Sequence, residues 1–413
     1  MGTFKQSILA AAAALSLNTA IAHADDHGLD LKFAGALEIT DDGTLFVGDN
    51  YNGAIYAFQL PKTKKKSTAD PVTILDVDAK IADMLGVGES AIEINDMAVS
   101  PKSQEVYISV SRIGGFASQP AIVKVTQEAE LELLDLASLS FEKQALNEFP
   151  ESETTFHVRG LMGKPPSTRD IAKGEIALSS LAIMDMEFHD GELFVAGVAH
   201  DNFLSSLRRV SYPFDGTQSL TNVEVYHIAH DQYETRAPIR AMTIQEVDGK
   251  EQLVAAYTCS PIVLIPLEEI TDGAKISANS IADMGNGQPL DMIPYALEGR
   301  DLLFISHNSR SPQVVPLNGL NNAKVVTHED FERGPKMDLN PIMPFGPVGQ
   351  TVMFDGIPLH MDLLGDTYFV SLTRDAYTGS LNLESNPTFF PNRVHNLVAE
   401  FDFPQWHEEN DYR

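Results

Sequence analysis

The stretch LEITDDGTLFVGDNYNGAIYAFQL (37–60) contains a short apolar strand, a tight turn, a second β-rich strand, a polar loop and a third strand. Runs of β-branched and aromatic residues bounded by Gly, Asp and Asn are typical of antiparallel hairpins. The same pattern returns at intervals of roughly 50 residues, which is typical of a repeat architecture. The further units are 95–126, 184–214, 239–267, 290–317 and 359–381.

Units of about three strands at this spacing are typical of propeller blades. Helical periodicity is weak, and no alternation of strands with long amphipathic helices indicates a parallel sheet. The sequence therefore predicts an all-β protein with a single β-propeller of six four-stranded blades. The wide separation of the second and third units leaves room for a degenerate seventh blade in 131–180.

Closure of the ring is also predicted from strands outside the six units. LDLKFAG (29–35) is an unpaired strand before the first unit, and HNLVAEFDF (395–403) reads as the third strand of the last one. An N-terminal strand that completes the C-terminal blade would remove the free sheet edge.

The first 24 residues read as a secretory signal peptide, with an apolar small-residue core and an Ala22-His23-Ala24 cleavage signal. We expect 25–413 to form the propeller domain in the periplasm or outside the cell. No run is long and apolar enough for a membrane span, so membrane insertion is not expected. The formal charge of −29 excludes nucleic acid as a general partner. The single cysteine, Cys259, excludes an intramolecular disulfide.

The units, above all DGTLFVGDNYNGAIYAF, resemble the blades of bacterial NHL, YVTN and SMP-30/gluconolactonase-type propellers. Gluconolactonase-like enzymes bind a divalent cation through a glutamate of an E-G-P motif, two asparagines and an aspartate. The corresponding stretch here is GALEI, in which no Gly-Pro follows Glu38. The resemblance thus implies the fold, and no catalytic residue is transferred from it.

In a propeller, the start of the innermost strand and the end of the second strand open on the same face. These positions are unusually rich in His, Cys, Arg and Asp, which predicts a polar site around the axis. The strand starts are Asp96, Asp185, Arg240, Asp291 and His360. The second-strand ends are Asp49, Asn50, Arg112, His200, Asp201, Asn202, Tyr257, Cys259, His307, Asn308, Arg374 and Asp375.

Four of these residues predict a metal site: His200, Cys259, His307 and His360. Imidazole and thiolate together bind copper or zinc strongly. The alternative for Cys259 is plain burial, since a free cysteine often behaves as a small apolar residue.

The recurrent Asp-Met pairs at Asp96, Asp185 and Asp291 have two interpretations. The carboxylates can bond backbone N–H groups of a neighbouring segment as part of the framework. Alternatively they converge on a hard cation such as calcium, which prefers oxygen ligands. Carboxylates near one axis would also raise one another's pKa, as in an acid–base pair.

A second candidate site is YHIAHDQYETRAPIR (226–240). Residues His227 and His230 are close enough in sequence to form a ligand pair or an acid–base group held by Glu234. Arg236 and Arg240 follow, and a guanidinium group suits a carboxylate, sulfate or phosphate.

Three functions remain open. The leading hypothesis is a copper-type oxidoreductase acting on a small substrate, in which Arg240 and Arg112 orient an anionic group and Asp185 or Asp291 transfers protons. The first alternative is a calcium- or zinc-dependent hydrolase of the lactonase type, with Asp and Asn ligands. The second is a non-catalytic propeller that binds a small ligand or a protein partner on its loop face.

Overall fold

Six antiparallel sheets of the described residues surround a common axis, and their innermost strands contact one another in a closed ring. This is the six-bladed, all-β propeller that the repeated units predict. The computed structural model describes residues 28–66, 68–112, 119–151, 155–157, 175–199, 204–228, 230–235, 237–258, 261–283, 287–308, 311–333, 350–351 and 356–388.

The described residues in the first part of the chain form nine strands and one α-helix. In order they are β1 (Leu37–Ile39), β2 (Thr44–Asp49), β3 (Ala54–Gln59), β4 (Thr73–Ile74), α1 (Val77–Met84), β5 (Ile92–Val99), β6 (Val106–Arg112), β7 (Gln119–Val125), β8 (Leu131–Leu133) and β9 (Phe141–Ala145).

In the middle of the chain, the described residues form β-strands and short 3₁₀ turns. Its strands are β10 (Thr155–His157), β11 (Glu175–Ala177), β12 (Asp185–His189), β13 (Glu192–Ala199), β14 (Leu204–Ser211), β15 (Gln218–His227), β16 (Gln232–Glu234), β17 (Ile239–Val247), β18 (Lys250–Tyr257), β19 (Pro261–Pro266), β20 (Lys275–Ala278) and β21 (Ser280–Asp283).

The described residues in the last part of the chain form two short helices between strands. The elements are β22 (Pro289–Leu297), β23 (Arg300–His307), β24 (Gln313–Pro316), α2 (Leu317–Asn321), α3 (His328–Arg333), β25 (Gln350–Thr351), β26 (Ile357–Leu364), β27 (Tyr368–Arg374) and β28 (Leu381–Pro387).

We number the blades I to VI around the ring. Blade I contains β1, β2, β3 and β9; blade II contains β12 to β15; blade III contains β17, β18, β19 and β21; blade IV contains β22 to β25; blade V contains β26, β27, β28 and β4; blade VI contains β5 to β8. Strand β16 extends blade II as a hairpin with β15, and β20 pairs with β15 in parallel. Blade VI comes second along the chain but lies between blades V and I.

The ring is closed by two strands from the N-terminal part of the chain. Strand β4 completes blade V, pairing Ile74 with Leu383, and β9 returns to complete blade I. An N-terminal strand therefore completes the C-terminal blade, but it is β4 and not 29–35, which is irregular in the structure. The third strand of blade V is β28, and the predicted strand 395–403 lies outside the described residues.

The tight turns between inner and second strands place a glycine at the same point of several units, and this makes the repeats recognisable in the sequence. Asp248-Gly249 has φ values of 55° and 71°, and Glu298-Gly299 has 51° and 73°. Two consecutive positive φ angles are those of a type I′ turn, which matches the twist of the flanking strands. Glycine fits the second position because it has no Cβ to clash.

The core lies between neighbouring blades. Every residue of β2 is buried, because both faces of an inner sheet are covered by the adjacent blades. The contact between blades II and III includes Phe194, Leu207 and Tyr257, all 1% exposed or less. Such two-sided burial makes these strands nearly continuous apolar runs.

No seventh blade interrupts the ring of inner strands. The described parts of 131–180 instead supply the outer strands β8 and β9 and the two-stranded pair β10–β11. Among the described residues, no helix has the length and apolar character needed to cross a membrane.

Candidate functional site

A cavity of about 280 Å³ opens on the propeller axis, at the end of the ring where the inner strands begin. Its wall is mostly polar. The lining residues are Phe33, Gly35, Ala36, Asn50, Glu93, Asn95, Asp96, Ser180, Ile183, Met184, Asp185, Arg240, Leu290, Asp291 and His360.

All five residues at the predicted strand starts line this cavity. Four of them belong to the predicted site: Asp185, Asp291 and Arg240 as catalytic residues and His360 as a metal ligand. The structure thus brings them together, while their chemical roles remain predictions. Placement follows from the repeat, since equivalent positions of successive inner strands face the same axis.

The second-strand ends are less convergent. Asn50 lines the cavity, but Arg112 and His307 are not among its lining residues. Arg112 Nη1 donates to Gln119 Oε1 at 3.4 Å, within blade VI, and His307 is only 1% exposed at the end of β23. The second strand of a blade is one strand further from the axis, and this distance keeps Arg112 and His307 out of the cavity. His200 and Cys259 lie outside the described residues.

The three aspartates connect neighbouring blades. Leu37 N donates to Asp96 Oδ2 at 2.8 Å, Met242 N to Asp185 Oδ2 at 2.7 Å, and Met361 N to Asp291 Oδ2 at 2.5 Å. The other oxygen of each accepts a bond from the following methionine N–H. The Asp-Met pairs are thus framework residues, as one of the two interpretations predicts. A carboxylate oxygen has two lone pairs, so these bonds leave room for a further ligand.

Burial and mutual repulsion perturb the titration of these groups. Burial, and then the charges of Asp291 and Asp96, raise the pKa of Asp185 well above its usual range. Burial raises the pKa of Asp291 to about 6, although the nearby His360 acts in the opposite direction. These are the effects expected of carboxylates collected in a space that water hardly screens.

A second layer of carboxyl groups lies deeper in the channel. Glu38, Glu187 and Asp362 stand on the inner strands two positions beyond Ala36, Asp185 and His360. Residues two apart on a strand face the same side and are about 7 Å apart. Sequence reasoning missed this layer, although the i, i+2 spacing in MDMEF and HMDLL is its signal.

These deeper carboxyl groups also accept bonds from neighbouring blades. Phe188 N donates to Glu38, Ile244 N to Glu187, both at 3.2 Å, and Val99 N to Asp362 at 2.6 Å. Burial raises the pKa of Glu187 and the pKa of Asp362, each to about 7. The pKa of Glu38 is raised well above its usual range, first by burial and then by the charge of Glu187.

Two basic side chains share the cavity with the carboxylates. His360 Nδ1 lies 3.1 Å from Asp96 Oδ1, and both side chains are largely buried. Arg240 enters from blade III, where the β17–β18 register shifts between Ile239 and Ala241. The inner strands that carry Asp96, Asp291 and His360 have the same kind of shift at their starts. A bulge redirects side chains locally, so this shared irregularity helps to turn the four side chains towards the axis.

Asn50 fixes one wall of the cavity. Its Nδ2 donates to the carbonyls of Ser179, Ser180 and Ile183 at 3.0–3.1 Å, which holds the 3₁₀ turn Leu178–Leu181 in place. Its Oδ1 is buried and has no hydrogen-bond partner in the described part of the chain. A buried acceptor without a donor costs about 1–3 kcal/mol, so this oxygen suits a cation or a ligand donor.

Comparisons with known proteins do not assign a family. No family model matches the chain, and no curated protein matches it. A streptogramin B lyase structure is 11% identical with a TM-score of 0.33, over 87% of this chain and 96% of the other. A crystal structure of BBS1N in complex with ARL6DN is 9% identical with a TM-score of 0.30, over 87% and 80%. Likenesses at this level leave the function of the chain open.

Proposed function

We propose that the protein is a divalent-cation-dependent hydrolase that acts on a small anionic ester or lactone in the axial cavity, in the periplasm or outside the cell. The observation that supports it is the convergence of Asp96, Asp185 and Asp291 on one cavity together with the buried Asn50 Oδ1. The excess of carboxylates shows in the raised pKa values of Asp185 and Asp291.

The donor set fits a hard cation better than a soft one. Asp96, Asp185, Asp291 and Asn50 offer oxygen atoms, and Glu93 and Asn95 add two more side chains at the same cavity. Oxygen ligands are those that calcium prefers. When bound, such an ion supplies the positive charge that polarises a substrate carbonyl.

The basic residues of the cavity bind and orient the substrate. Arg240 contributes a guanidinium group, which can bind a carboxylate with two parallel hydrogen bonds. His360 Nδ1 lies 3.1 Å from Asp96 Oδ1, and this contact keeps the ring in one orientation.

The test combines cation binding with hydrolysis of a panel of small esters and lactones. We expect calcium-dependent turnover that a chelator abolishes, and a loss of both turnover and calcium affinity in Asp185→Asn. Asp366→Asn, in an exposed turn of blade V, is the matched control and should change neither. Turnover that persists without any cation, or calcium binding unchanged in Asp185→Asn, would exclude the proposal. Absence of turnover with calcium bound would favour a ligand-binding propeller.

The copper-type oxidoreductase is the second candidate, because His360 lines the cavity. Its other proposed ligands are His200, Cys259 and His307. Copper bound in stoichiometric amount, and lost in Cys259→Ala and His307→Ala, would replace the hydrolase by this function.

A further inference from the structure

A second group of metal-ligating side chains lies at the rim of the same face, outside the axial cavity. It is built by the β15–β16 hairpin at the edge of blade II. His227 ends β15, His230 lies in the turn, and Glu234 ends β16. Pairing of Val225 with Glu234 and His227 with Gln232 fixes the register that brings the three side chains together.

The three side chains point at one another. His227 Nδ1 lies 3.1 Å from one oxygen of Glu234, and His230 Nδ1 lies 2.5 Å from the other. The two imidazole rings are 4.5 Å apart and inclined at 71°. One ligand atom from each residue can be chosen so that all lie within 4.8 Å of one another. Small side-chain rotations can therefore place all three around one ion.

A fourth group supports this arrangement from behind. On the other side of its ring, His227 Nε2 lies 3.6 Å from Asp283 Oδ2 at the end of β21 in blade III. The side chains of His227 and Asp283 are only 5% and 3% exposed. A carboxylate facing the non-ligating nitrogen of a metal-bound histidine fixes its orientation and raises its basicity.

The chemistry of the three side chains favours one class of cation. The hairpin offers two nitrogens and one carboxylate, a combination that zinc binds and that calcium does not prefer.

We propose that His227, His230 and Glu234 form a zinc site at the junction of blades II and III, with Asp283 positioning His227. The side chain of His230 is 26% exposed, so a fourth coordination position faces solvent. Three protein ligands with one open position are typical of zinc sites that also bind water or a small anion. The site shares no residue with the axial cavity, so this proposal does not depend on the proposed hydrolase function.

The test is calorimetric titration of the metal-free, full-length chain with zinc, with calcium present in excess. We expect one equivalent of zinc with a dissociation constant below about 1 µM, weakened at least 100-fold in His230→Ala and in Glu234→Gln. Asp283→Asn should weaken binding by about 10- to 100-fold. The matched control is His189→Ala in the same blade. It removes a different His–Glu contact, in which His189 Nε2 lies 2.9 Å from Glu251, and it should leave the zinc affinity unchanged.

A second readout distinguishes this site from one that uses the thiol. Cobalt bound in place of zinc should show no thiolate-to-metal absorption band, and Cys259→Ala should bind zinc as the wild type does. Zinc binding lost in Cys259→Ala but kept in His230→Ala would overturn the proposal. Failure of wild-type protein to bind zinc would also overturn it, whatever happens at the axial cavity.

Discussion

The acidic channel should make the protein less stable as the pH rises from about 5 to about 8. An acid whose pKa is raised by folding holds its proton more tightly in the folded state. The free energy of unfolding therefore falls as the pH rises between the pKa of the unfolded chain and that of the folded one. For Asp291 this window runs from 3.8 to about 6, and for Asp362 from 3.8 to about 7.

The size of the effect follows from these values. A difference of one pKa unit between the folded and the unfolded state corresponds to about 1.4 kcal/mol in the free energy of unfolding. The part of the change that falls between about pH 5 and pH 8 is about 1 kcal/mol for Asp291 and about 3 kcal/mol for Asp362. Groups with a lowered pKa, such as Glu234, change the free energy of unfolding only at lower pH, so they do not affect its slope between about pH 5 and pH 8.

Urea unfolding followed by circular dichroism, at several pH values and without divalent cations, measures this slope. Asp362→Asn should flatten it by removing one titrating group, and Asp366→Asn in the exposed turn of the same blade should not. Calcium should restore stability at about pH 8, because it offsets the repulsion between ionised carboxylates. A free energy of unfolding that stays constant or rises over this range would refute the reasoning.

Three further substitutions test the cavity and its wall. Arg240→Met should raise the KM for an anionic substrate about 10-fold with a smaller change in kcat, whereas Arg300→Met at the opposite end of the ring should change neither. Gly197→Ala should destabilise the fold by about 2 kcal/mol in urea, because a Cβ there would overlap the Ala182 carbonyl and lie 2.7 Å from that of Leu181; Gly88→Ala, with open space around it, is the control. Asn50→Ala should cost about 2 kcal/mol and increase amide hydrogen exchange in residues 178–183, since it removes the bonds that hold this turn; unchanged exchange there would contradict the role given to Asn50.

The propeller was predictable because its strands repeat and its turns carry glycine. The sequence also predicted that an N-terminal strand completes the C-terminal blade, but it did not predict which strand. Strand β4 is only two residues long, Thr73–Ile74, and is too short to stand out from a loop. The position of blade VI was also beyond the sequence, because all the inner strands have the same apolar pattern and none of them encodes its neighbour.

The candidate site divides in the same way. Asp96, Asp185 and Asp291 were found because the phase of the repeat fixes which residue of an inner strand faces the axis. The second-strand ends, such as Arg112, were expected there too, because the phase of a repeat gives height along the axis but not distance from it. Arg240 and His360 were found in the same way as the aspartates. The orientation of Asn50 was not predictable, because its Nδ2 donates to three carbonyl groups far away in sequence and this leaves its Oδ1 without a donor.

The placement of blade VI has a mechanical consequence. The chain just before blade VI supplies β4 to blade V, and the chain just after it supplies β9 to blade I. Blade VI is therefore covalently connected to a hydrogen-bonded strand of each neighbour, and moving it away from either one pulls on that strand. In the described residues, carboxylate bonds to backbone N–H groups cross every joint of the ring except that between blades III and IV. The joint between blades III and IV is instead held by apolar packing, in which Val254 of blade III and Leu303 and Ile305 of blade IV belong to one buried cluster. Its strength therefore depends on the hydrophobic effect, whereas the other five joints add charged hydrogen bonds to it.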